Sequence, residues 1–70
     1  MLRKSVSSSN LASVGYDVQS QTLEIEFNNG GIYQYLAVPA SVHYGLMNAS
    51  SHGEYFDLHV KKAAYKFKKL

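Results

Sequence analysis

The sequence predicts an α+β fold: a three-stranded antiparallel meander sheet with two helices packed on one face. Three observations carry the prediction. Thr22, Glu24 and Glu26 alternate with Leu23, Ile25 and Phe27, the period of two of a strand with one dry face. Asn28-Asn29-Gly30-Gly31 follows, and Asn and Gly tolerate the positive φ that a chain reversal needs. Val38-Pro39 and Ser51-His52-Gly53-Glu54 are two successive helix starts.

The elements follow in order. Residues 1–10 are polar and serine-rich, and nothing in 1–5 demands order, nor in 69–70 at the other end. Val6 could join a short edge strand. Ser7-Ser8-Ser9-Asn10 reads as a turn or cap. Leu11 to Val18 reads as the first strand, with Ala12, Val14, Tyr16 and Val18 on one face. A turn at Gln19-Ser20 sets Tyr16 beside Leu23, Val14 beside Ile25 and Ala12 beside Phe27. Gly15 inside this strand points to a bulge or to close approach by a helix.

The second and third strands span 22–28 and 32–37. A two-residue turn at Asn29-Gly30 would pair Phe27 with Ile32. A three-residue loop, Asn29 to Gly31, would pair Phe27 with Tyr33, Ile25 with Tyr35 and Leu23 with Ala37. The second register is preferred because it gives a continuous apolar face and a glycine where the loop turns left-handed. It assigns Tyr33 and Tyr35 to the helix-covered face and leaves Ile32 and Leu36 on the other.

Pro39 opens a helix over about 39–49, since its missing N–H is not needed in a first turn. Val42, Leu46 and Ala49 form its stripe, with Met47 beside it. Gly45 weakens this helix by about 0.5–1 kcal/mol relative to alanine, which suits close approach to another backbone. Ser51 and Glu54 have capping-box spacing for a second helix over about 52–63, with Phe56, Val60 and Ala63 inward. Asp57 is placed to pair with Lys61. The tail from Ala64 to Leu70 alternates Tyr65 and Phe67 with lysines and reads as extended, with a continued helix as the alternative.

Seventy residues make one domain, 1–70. No cysteine is present, which excludes disulfide stapling and thiol chemistry. No apolar run approaches a membrane span, and MLRKSVSSSN lacks an apolar signal core, so the expected location is cytoplasmic with no membrane partner. The net charge of +2 conceals an asymmetry. Arg3 and Lys4 open the chain, Lys61, Lys62, Lys66, Lys68 and Lys69 close it, and all five acids lie between. If the termini meet, they form one basic patch.

No enzyme signature stands out. His43, His52 and His59 fit no zinc spacing, Gly30-Gly31 lacks the phosphate-loop pattern, and Glu24 and Glu26 lie on the wet sheet face. No metal or cofactor is expected. The basic residues are the best lead, because lysines neutralise phosphates and tyrosines stack on unpaired bases.

The motifs Ser8-Ser9-Asn10-Leu11, Val14-Gly15-Tyr16-Asp17, Leu23 to Phe27, Gly31-Ile32-Tyr33-Gln34-Tyr35, Val38-Pro39 and Ala49 to Phe56 are familiar in this order. Together they resemble the KTSC domain family, which occurs at the C-terminus of some lysyl-tRNA synthetases and as small stand-alone bacterial and phage proteins. The resemblance implies a non-enzymatic module that binds nucleic acid, RNA in particular. That family often has an arginine between the paired tyrosines, where this chain has Gln34. Ser9, Asn10, Tyr16 and Ser51-His52-Gly53 match family positions that are either a surface site or turn and cap residues.

Two functions are therefore expected as alternatives. One is binding of RNA or another single strand through Arg3, Lys4, Lys61, Lys62, Lys66, Lys68 and Lys69, with Tyr44 and Tyr65 stacking. The other is a protein-interaction or self-association module using Ile32 and Leu36 or a sheet edge.

Overall fold

The alternation at 22–27 places Thr22–Phe27 at the centre of the sheet. A computed structural model describes residues 1–70. Its strands are β1 (Arg3–Ser5), β2 (Leu11–Asp17), β3 (Thr22–Phe27), β4 (Ile32–Tyr35) and β5 (Phe67–Lys69). They form one antiparallel sheet in the order β1-β2-β3-β4-β5. The α+β class holds, but the sheet has five strands rather than three. The added strands come from the two ends, which carry too few residues for a period to show. Each is an exposed three-residue edge.

The β2–β3 register is as expected at Tyr16↔Leu23 and Val14↔Ile25. The bulge falls between Leu11 and Ser13, so Leu11, not Ala12, pairs with Phe27. Gly15 is instead the site of a close approach, by the N-terminal segment at the start of β1 and not by a helix: a Cβ there would lie 2.8 Å from the Leu2 carbonyl oxygen and 3.0 Å from Arg3 Cγ. The β2–β3 turn, without a glycine, reverses through Gln21 at φ 54°. Asp17 fixes it by accepting from the Ser20 amide at 3.2 Å and the Ser20 hydroxyl at 2.5 Å. Val18 belongs to this turn and is exposed, not on the core face.

The second hairpin has a three-residue loop, one position earlier than expected. Phe27 pairs across it with Gly31, and Gly30 takes the left-handed conformation at φ 94°. Leu23 therefore faces Tyr35 and Ile25 faces Tyr33. The shift is two residues in the pairing sum, so every side chain keeps its predicted face.

Helix α1 (Ala40–Asn48) begins where expected to within a residue, but Pro39 is its extended N-cap at ψ 150° rather than part of the first turn; the helix buries Leu46. Helix α2 (His52–Phe56) is capped by Ser51, whose Oγ accepts from the Glu54 amide at 3.2 Å. It does not continue to 63. Asp57–Lys61 winds as a π turn, closed by Lys62 N–H to Asp57 C=O at 3.0 Å, and Ala63 is exposed beyond it. Neither helix is long and apolar enough to cross a membrane.

The core lies between the helices and one sheet face. Leu11, Val14, Leu23, Ile25 and Tyr35 come from the sheet, Val38 from the link, and Leu46, Phe56 and Val60 from the helices. Burying each aliphatic side chain contributes about 1.5–3 kcal/mol. The opposite face is a polar network. Arg3 Nη1 pairs with Glu24 Oε2 at 2.5 Å, Gln34 donates to Glu24 Oε1 at 2.8 Å, and Ser13 donates to Glu26 at 2.8 Å.

Candidate functional site

The two tyrosines of β4 stand on the helix side, but the helical segment ends at Lys61 and leaves part of that side uncovered. The result is a cleft of about 460 Å³ between β3, β4, β5 and the π turn. Phe27, Tyr33, Tyr35 and Phe56 form its floor, Tyr65 and Phe67 its outer wall, and Asn10, Asn29, Asp57, Lys61 and Ala64 its rim. The rings brace one another. Phe27 meets Tyr33 and Phe56 edge-on at 5.6 and 5.4 Å, and Phe67 lies 5.6 Å from Tyr35 and 5.9 Å from Tyr33. Such pairs stiffen a surface beyond the area they bury.

Burial is graded across the cleft: Tyr35 is buried, Tyr33 is half-buried and Phe67 is 60% exposed. Burial also raises the Tyr35 phenol above its ordinary pKa, with the neighbouring Tyr33 adding to the effect. The hydroxyl is therefore neutral near pH 7 and places no negative charge in the cleft.

The π turn decides which lysine serves this cleft. The expected Asp57–Lys61 pair is replaced by Asp57–Lys62, with Nζ 3.3 Å from Oδ2. In a π turn the residue five along returns over the first, so Lys62 takes the carboxylate. Lys61 is left lining the cleft. Lys69 lies opposite Tyr33 in the β4–β5 register, hence on the same side of the sheet.

The other predicted site residues separate. Lys68 lies opposite Gln34, and Lys66 joins the row of Leu36, whose amide donates to its carbonyl at 2.8 Å; both rows belong to the opposite face. Arg3 is held by Glu24 and also donates from Nε to Ser13 at 3.0 Å. Lys4 pairs at Val14 on β1, and β1 and β5 are opposite edges of the sheet. The termini do not meet, so the single basic patch is not formed. At about 4.8 Å per strand the two edges lie roughly 19 Å apart. Tyr44 is exposed on α1 and does not line the cleft; Tyr65 does.

The family-matched polar positions also divide. Tyr16 is structural: its hydroxyl donates to Val38 C=O at 2.5 Å and its ring stacks on His43 at 4.7 Å. Burial lowers the His43 pKa below its ordinary 6.5. His52 Nδ1 donates to Leu46 C=O at 2.8 Å, and Ser51 is the α2 cap, so both serve the helix junction. Ser9, Asn10 and Ser51-His52-Gly53 line a second hollow of about 600 Å³ beside the cleft, with Ser7, Ser8, Ser50, Glu54, Asp57 and Leu58.

Phe67, Tyr33 and Tyr35 line the cleft but were not among the site residues expected from the sequence. Tyr33 and Tyr35 sit on the predicted face. What was not visible is that the helices leave that face partly bare. The alternation Tyr65-Lys66-Phe67-Lys68 is the one local signal for the outer wall.

Comparison with known proteins places these features in a wider set. The KTSC domain family model matches residues 7–65. A protein of Stutzerimonas stutzeri is 42% identical over 67 residues, covering 96% of this chain and 94% of that protein. A lysine–tRNA ligase of Nostoc punctiforme is 44% identical over 55 residues, 79% of this chain but only 10% of the ligase. The crystal structure of a KTSC domain protein from Yersinia pestis superposes with a TM-score of 0.91 at 43% identity, covering 99% of this chain and 96% of that one.

Proposed function

The chain belongs to the KTSC domain family, and from that premise we propose that it is a small, non-enzymatic, cytoplasmic module that binds single-stranded nucleic acid, RNA among its ligands. An unpaired base stacks in the aromatic cleft against Tyr33 and Phe67. Lys61 and Lys69 neutralise the phosphates on either side of it. The observation that carries this reading is the exposed Phe67 ring over the Tyr33–Tyr35 floor with Lys61 on the rim. A rigid aromatic surface beside lysines is the combination that single strands use, because every base has a π face and every nucleotide a charge. The presence of a related domain within lysine–tRNA ligases, enzymes that handle an RNA, agrees with it.

Anisotropy titration of a labelled single-stranded RNA at low and moderate salt tests the reading. Binding is expected at low salt and should weaken as salt rises. Phe67→Ala should cost about 1–3 kcal/mol of binding. No binding at low salt would remove the proposal. Leu36, 38% exposed on the face that also carries Ile32, favours self-association as the second reading. That reading instead predicts a concentration-dependent dimer lost in a double substitution of Ile32 and Leu36 by polar residues.

A further inference from the structure

The hollow beside the cleft has a chemistry of its own. It shares Asn10 and Asp57 with the cleft, so the two adjoin at those residues. No lysine or arginine lines it; serine hydroxyls, Glu54 and Asp57 do. Lys62 pairs with Asp57 from outside the hollow, so the lining itself presents acids and hydroxyls to a ligand; carboxylates disfavour a phosphate there, whereas a carboxylate accepts from a hydroxyl. Two of its five serines, Ser8 and Ser51, are already committed as acceptors. Ser8 Oγ takes the amides of Asn10 and Leu11 at 3.1 and 3.2 Å, and Ser51 Oγ takes that of Glu54 at 3.2 Å. What they offer a ligand is a hydroxyl proton. Asp57 offers only acceptors, and Lys62 engages its Oδ2 alone.

We propose that this hollow receives the ribose of the nucleotide whose base stacks in the cleft, and that Asp57 accepts a hydrogen bond from its 2′-hydroxyl. The domain then selects RNA over DNA, because the 2′-hydroxyl is the donor that deoxyribose lacks. Serine hydroxyls donate to the remaining sugar oxygens, and the phosphates lie outward toward Lys61. This rests on the base-stacking reading and adds the sugar to it.

The test is anisotropy titration of short labelled single strands of one sequence with ribose, deoxyribose or 2′-fluoro sugars, at one low salt concentration. The ribo strand should bind at least about tenfold tighter than the deoxy strand, the lower end of what one hydrogen bond to a charged group contributes. The 2′-fluoro strand should follow the deoxy strand, since fluorine cannot donate. Asp57→Ala should bring the ribo strand down to the deoxy level, whereas Lys61→Gln should weaken all three strands alike. Equal ribo and deoxy binding by the native protein overturns the ribose assignment while leaving base stacking intact. So does a 2′-fluoro strand as tight as the ribo strand, or a preference that survives Asp57→Ala. Failure of every strand to bind overturns both.

Discussion

Glu24 shows how a residue that reads as surface charge becomes structural. Its carboxylate lies on the predicted wet face yet is only 5% exposed, because Gln34 and Arg3 close over it. The Gln34 hydrogen bond, with the Arg3 hydrogen bond and charge, lowers its pKa below the ordinary 4.5 against the opposing effect of burial. A depressed carboxylate means that the unfolded chain binds more protons, so this stability is present above pH 4.5 and is lost as pH falls through the lower folded value. His43 acts in the same direction from higher pH. Its folded pKa lies below 6.5, so stability also declines as pH drops from that value. Urea unfolding across a pH series should therefore show a two-stage acid decline. Glu24→Gln should cost about 1–3 kcal/mol at pH 7 by breaking the Arg3 pair, and should flatten the decline below pH 4.5. An unchanged acid slope in that variant would show that Glu24 does not cause it.

At the scale of elements, α1 and α2 meet where a glycine makes room. A Cβ at Gly45 would lie 2.6 Å from Cζ of Tyr55, whose ring is also held 4.3 Å from that of His59. Gly45→Ala gains about 0.5–1 kcal/mol in helix propensity but overpacks by about 1–3 kcal/mol, for a net loss. In a Tyr55→Ser background the clash is gone and the same change should stabilise. Thermal unfolding of the four proteins of this cycle reads the coupling, and equal effects in both backgrounds would contradict it. Gly45 also marks what was legible. Its weakness in a helix and its call for close approach could be read, but the neighbour, a phenol ring and not a backbone, could not. Faces were readable where an unbroken period ran for six residues, as from Thr22 to Phe27, but not across the bulge at Leu11–Ser13 or into the turn at Val18. The edge strands Arg3–Ser5 and Phe67–Lys69 are too short to show a period, and pairing with β2 and β4 defines them. The π turn was hidden as well, because Phe56 and Val60 satisfy α-helical spacing equally well, and it moved the Asp57 partner from Lys61 to Lys62.

For the whole molecule, topology divides what composition had joined. Charge at both ends of the chain suggests one patch, but a five-stranded order puts β1 and β5 on opposite edges. Only Lys61, Lys69 and Tyr65 of the predicted residues end on the cleft side, where they meet Tyr33 and Phe67. Site and basic surface are thus smaller than the sequence implied, and aromatic stacking carries more of the proposed binding than bulk charge does. Amide chemical-shift mapping with a short single-stranded RNA at low salt tests this directly. Shifts are predicted at Lys61, Ala64, Tyr65, Phe67 and Tyr33, with Lys4 and Tyr44 unmoved. Shifts centred on β1 or on Tyr44, or no shifts at all, would contradict it.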